Sequence, residues 1–244
     1  MTKVFLSGTD RGNMKTFIFL FFISTSVRAD EAQRLSNMVK EGTEILSAWE
    51  RMLKVDCQID QGVYPSKLSN DEGKDVEVAQ ISFDYVEELY REIAKSEHIP
   101  FDYVEDGGEA RALEIARILD RKGVKSAKAF LEGDLKLKTY KHPDNMGKWK
   151  SQTASIVKVR MDDGKDVVYV IDPALFNRAI PLEEWAYKLS GDPEKISFAS
   201  RFNYSPKDKL EQLTDYRHED LSLAEIKFSS QKKLLQKRRT ESVN

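Results

Sequence analysis

A single cysteine, Cys57, and three histidines are all that the 244-residue sequence offers of those two residue types. One cysteine cannot make an internal disulfide framework, and it removes every metal motif built on cysteine pairs. A phosphate-binding loop is lacking too, since Asp106-Gly107-Gly108 fits neither the GxGxxG nor the GxxxxGK pattern. There is no internal repeat. Charge is abundant at 33%, yet the formal net charge is only −2, so no excess of one sign favours nucleic acid. These absences predict a protein without metal, cofactor or nucleic-acid partner. Cys57 itself reads as a partly buried small apolar residue, with a reactive or intermolecular thiol as the alternative.

What the first residues do have is an export pattern. From Met14, Lys15 supplies a positive start, Phe17 to Ile23 an apolar run, and Val27-Arg28-Ala29 the small-residue spacing of a cleavage site before Asp30. The run is shorter than the roughly 20 apolar residues needed to span a bilayer. The expectation is an exported protein, periplasmic or secreted, with no stable membrane anchor after cleavage. The polar residues 1–13 ahead of Met14 leave open whether Met1 or Met14 is the start. Cleavage after Ala29 would remove Lys3, Arg11, Lys15 and Arg28 together with Asp10, moving the formal charge to about −5.

The mature chain, at 40% hydrophobic, is long enough for one main core. Leu35, Met38, Val39, Ile45, Leu46, Trp49 and Leu53 recur at helical spacing, which predicts an amphipathic segment; the turn formers from Gln61 to Gly73 read as a linker or surface loop. A short strand is expected at Val76–Ile81 and a helix at Ser82–Lys95. The Asp106-Gly107-Gly108 turn leads into a central helix from about Glu109 to Arg121, stopped by Gly123. Strands follow at Ala127–Leu131, Leu135–Tyr140, Thr153–Met161 and Asp166–Asp172. A helix opens after Pro181, carries Trp185 and Leu189 and stops at Gly191. The region to Pro206 reads as loop, and the rest, Leu210 to Asn244, as polar, helical in patches and basic at its end, a frayed, solvated tail. The boundaries are therefore 1–29 for the N-terminal extension and signal peptide, 30–75 for a helical segment and linker, 76–206 for the main domain and 207–244 for the tail.

One register can be argued in advance. If Asp162-Asp163-Gly164 is a three-residue hairpin loop with Gly164 at positive φ, Asp172 pairs with Ala154, and residue 152 lies diagonally beside it on the same face. A two-residue turn would pair Asp172 with Ser155 and turn residue 152 away. The three-residue loop is favoured because glycine stands at the position that needs positive φ.

Asp106-Gly-x-x-Ala-Arg-Ala112, Trp149 at the head of a strand, Ile171-Asp172-Pro173-Ala174-Leu175-Phe176, and then Trp185 together resemble the bacterial protein-glutaminase (protein-glutamine deamidase) family, over the middle third to half of the chain. The resemblance implies an α+β, papain-like core with a central helix packed on an antiparallel sheet, here preceded by an N-terminal helical segment. It also implies a Cys opening the helix, a His on one strand and an Asp on the next, attacking a glutamine carboxamide and releasing ammonia through an acyl-enzyme.

Carried over by position, the family Cys falls on Gly108 and the His on Gln152, and only the acid is kept, as Asp172. His98, His142 and His218 lie elsewhere, and Cys57 precedes the helix. Glu109, Trp149 and Ser151 are the candidates for lining a substrate groove. Ser151 and Thr153 have no neighbouring base; a Glu109–Asp172 carboxylate pair is a further option, although an acid at a helix start is explained by the helix dipole alone. The Gln152 amide is expected to donate to Asp172 in place of an imidazole. The expectation is a catalytically inactive, protein-binding or regulatory relative that holds a protein or peptide ligand in the former substrate groove. The alternative is an active protein-glutamine deamidase whose residues align differently. The segment Asp30–Val55 could also cover the groove as a propeptide would.

Overall fold

The computed structural model describes residues 37–40, 42–44 and 62–241. The signal-like run, the expected cleavage site and Cys57 lie outside them. Residues 37–40 and 42–44 are helical, with the Thr43 hydroxyl donating to Val39 O and Lys40 O, and they belong to a unit separate from the body that begins at Leu53.

The main body is built on one mixed, largely antiparallel sheet. Its strands are β1 (Tyr64–Ser69), β2 (Asp75–Ser82), β3 (Ala127–Lys138), β4 (Met146–Arg160), β5 (Asp166–Ile171), β6 (Ile180–Pro181) and β7 (Ile196–Ser200). The order runs β1-β2-β4-β3-β7, with β5 on β4 and β6 on β5; only β2 and β4 run parallel. The long β4 shares one stretch with β3 and its last residues with both β2 and β5. Helices α1 (Phe83–Ile93), α2 (Gly108–Arg121), α3 (Leu182–Lys188) and α4 (His218–Glu241) complete the body.

Local chemistry explains the elements. Ser82 caps α1 by accepting from Tyr85 N at 3.2 Å, and Val86, Leu89, Tyr90 and Ile93 turn into the core. Gly107, at φ +85°, swings the chain from the 103–106 loop directly into α2, a conformation that glycine alone adopts without strain. Ala110, Ala112 and Ala116 are all buried, and their small size lets α2 approach the sheet closely enough for Ser155 Oγ to donate to Ala112 O at 2.8 Å. Gly191 N closes the end of α3 on Ala186 O.

The β4–β5 hairpin has the three-residue loop. Gly164 takes φ +80°, its N–H donates to Met161 O, and Ser155 pairs with Ile171, which brings Asp172 level with Ala154.

Several expectations are corrected. The stretch read as linker contains β1, an edge strand paired with β2 and turned at Asn70–Lys74 by the Asn70 side chain, which accepts from two backbone N–H groups. The two strands read between 127 and 140 are one, β3, with an irregularity between Glu132 and Leu135. The region read as loop before Pro206 contains β7. The C-terminal stretch read as a frayed tail is a 24-residue helix that packs Ala224, Phe228 and Gln231 against the body. Among the described residues, no helix is long and apolar enough to cross a membrane.

Candidate active site

The head of α2, the middle of β4 and the end of β5 meet at one place. Gly108, the first residue of α2, is buried, and a Cβ placed on it would overlap Oε1 of Gln152 from β4. Gln152 is 4% exposed; its Oε1 also accepts from Thr153 N at 3.4 Å. Gly108 and Gln152, expected from the sequence resemblance at the positions of a nucleophile and its base, are thus in direct contact, and the glutamine amide fills the space a side chain at 108 would need.

Asp172 is 6% exposed at the end of β5. Burial holds its carboxyl above the usual carboxylate range, opposed by Arg111, by the Trp185 indole and by Lys141. The same burial lowers the Arg111 guanidinium and the Lys141 amine from their ordinary values. The expected bond from the Gln152 amide to Asp172 is not made: Gln152 Nε2 and Asp172 Oδ2 are both buried without a hydrogen-bond partner. The reason is rotameric, because the amide oxygen is turned toward Gly108 and Thr153 N. Arg111 Nε, Arg111 Nη2 and Trp185 Nε1 are likewise buried without a hydrogen-bond partner.

The loop that delivers the chain to α2 is pinned from three sides. Arg111 Nη1 donates to Tyr103 O (2.9 Å) and Asp106 O (2.8 Å), and Trp149 Nε1 donates to Val104 O (2.9 Å). From α4, Gln231 Nε2 donates to Asp106 Oδ1 (2.7 Å) and Asp106 O (3.1 Å), and Lys227 pairs with the same aspartate at 3.2 Å. Gln231 is 1% exposed and so close to Gly107 that a Cβ there would overlap its Nε2. Sequence reasoning missed Gln231 altogether.

Of the groove candidates, Trp149 is buried and braces the loop, Ser151 is half-buried and paired with Glu132 in the sheet, and Glu109 is half-buried in the first turn of α2. The histidines are elsewhere: His98 lies 3.3 Å from Glu114, His142 is 4.0 Å from Glu105, and His218 opens α4. Among the described residues no group of three or more His, Cys, Asp or Glu side chains could hold a metal ion.

A central helix headed by a positive-φ glycine thus faces a strand pair that ends in a buried aspartate. Residues 86–189 match the family model described as Glutaminase. The fold is similar to the solution structure of protein-glutaminase from Chryseobacterium proteolyticum, with a TM-score of 0.50 and 20% identity, covering 61% of this chain and 87% of that one. A crystal structure of protein-glutaminase is also similar, with a TM-score of 0.47 and 22% identity over 57% of this chain and 81% of the other. No curated protein matches. The similarity to the glutaminase model is confined to residues 86–189, which hold α2, β3, β4, β5 and Trp185.

Proposed function

We propose that this is an exported, protein-glutaminase-like protein that has lost amidohydrolase chemistry and acts as a protein-binding or regulatory pseudoenzyme. The observation that carries the reading is the contact between Gly108 and Gln152, with no thiol, hydroxyl or imidazole at either position. Nucleophilic attack on a carboxamide needs an activated side chain and a base to take its proton. The retained Asp172 can orient and stabilise an imidazolium, but it supplies neither group. Export rests on the run from Lys15 to Ala29. The partner in this reading is a protein or peptide segment held at the former substrate groove without being hydrolysed.

The test is ammonia release from a glutamine-rich protein substrate by the mature protein. The expected rate equals that of the substrate alone. Release that disappears on Gln152→Ala or Glu109→Ala replacement would instead establish an active deamidase with a different set of catalytic groups.

A further inference from the structure

Beside the glutaminase frame, but lined by neither Gly108 nor Gln152, the surface carries two adjoining depressions of ≈1140 and ≈710 Å3. They share Ala94, Lys95, Phe101 and Asp102 and so form one trough. It runs from α4, past the end of α1 and the 99–102 loop, to the β3–β4 loop and the Pro173–Phe176 segment.

The trough is a built feature. Lys141 Nζ donates to Phe101 O (3.3 Å), Pro173 O (3.0 Å) and Ala174 O (3.0 Å), tying three wall segments to one ammonium. The hydroxyl of the buried Tyr90 donates to Phe176 O at 2.5 Å and fixes the floor. Apolar surface is offered by Leu137, Leu175, Phe176 and the 87%-exposed Tyr140.

Its charge is predominantly positive in a chain whose net charge is slightly negative, Glu97 and Asp102 being the acids of its lining. Arg91, Lys95, Lys138 and Lys232 stand around it, all exposed, and none of them has an ion-pair partner among the described residues. The one acid in the larger depression, Asp102, is already engaged, at 4.0 Å from Lys141 and 3.7 Å from Arg239.

We propose that this trough is the docking site for an acidic segment of a partner protein, one that alternates carboxylates with apolar anchors. Arg91 is on α1, Lys95 lies just past its end, Lys138 closes β3 and Lys232 is on α4, so the cations are spaced around a cleft with apolar walls. That arrangement matches side chains spaced along a peptide better than a continuous row of phosphates or a flat lipid surface. The inference rests on the protein-binding reading above for the class of partner only.

The test uses the full mature chain and fluorescence anisotropy of a short fluorescein-labelled peptide of Glu and Asp interrupted by Phe and Leu. Comparators are the same peptide with Gln and Asn for the acids, an oligothymidine of equal charge, and anionic phosphatidylserine vesicles. The acidic peptide should bind saturably, weaken with added salt, and bind about tenfold more weakly to the Arg91→Glu, Lys138→Glu double variant. Lys207→Glu, on an exposed position away from the trough, should change nothing, and circular dichroism melts should coincide for all variants. Equal binding of the neutral peptide, tighter binding of oligothymidine or vesicles, or indifference to the double variant would overturn the docking site. Ammonia release, measured separately, would overturn the pseudoenzyme reading and leave the anisotropy result standing.

Discussion

Oε1 of Gln152 occupies the volume that a side chain on Gly108 would require, so these two residues define each other's identity. The obstructing atom is the tip of a side chain, not backbone, and the nearest backbone atom, Thr153 N, is 3.4 Å from the same point. Gly108→Ala should therefore destabilise the protein by about 1–3 kcal/mol, the usual range for overpacking. In the Gln152→Ala background the same change should be nearly neutral. A denaturant double-mutant cycle measures the difference, with an expected coupling of about 1 kcal/mol or more.

Introducing a thiol and an imidazole at these two positions follows from the same contact. Gly108→Cys with Gln152→His places a thiol at the head of α2 and an imidazole beside Asp172. The expected outcome is a thiol that alkylates at neutral pH faster than an ordinary exposed cysteine, with a depressed pKa read from the pH dependence of labelling.

Gln231 closes this place from the other side. Removing its amide by Gln231→Ala breaks both bonds to Asp106 and should lower stability by about 1–3 kcal/mol in chemical unfolding. Added to the Gly108→Cys, Gln152→His double variant, the same truncation should raise the labelling rate by opening the approach to the thiol. An unchanged rate would mean that α4 does not shield the site.

Lys128 provides a pH signature. It is fully buried on β3, its amine donates to Asn203 O, and burial lowers its pKa to about 7 despite the nearby Asp208 and Asp220. The unfolded chain keeps the ordinary value of about 10.5 and binds the extra proton between those two values. Stability should therefore rise as pH increases from about 7 toward 10.5, and the deficit should be complete below 7. Thermal melts across that window should lose this slope in Lys128→Met.

Gly164→Ala should cost about 1 kcal/mol. No atom lies within 4 Å of the added Cβ, so the effect comes from φ +80° alone, and Gly164→Asn should cost less. Both are read from urea midpoints.

The parts of the fold that were legible in the sequence are those where one residue type has a single use. Gly107 and Gly164 sit at positive φ, and from them follow the start of α2 and the register that brings Asp172 level with Ala154. The edge strand β1 was not legible because its inward face is only half-buried and is marked by Ser66 and Leu68, a single apolar residue that does not make a pattern. Helix α4 was read only as helical patches in a frayed tail, for a related reason. Its buried stripe is Ala224, Phe228 and Gln231, whereas Leu223, Ile226 and Leu234 point outward, so apolar periodicity marks no face. At the site, position and neighbourhood could be read but not rotamer: the register brings Gln152 near Asp172, while the direction of its amide depends on the space left by a glycine distant in sequence.

The bonds between Gln231 and Asp106 span 125 residues of chain. At ribosomal rates of about 5–20 residues per second, the head of α2 waits roughly 6–25 s after its own synthesis before the side chain that covers it exists. During that interval Asp106 and Gly107 present their polar groups to whatever lies nearby, and a chain terminated just before α4 would keep them in that state permanently.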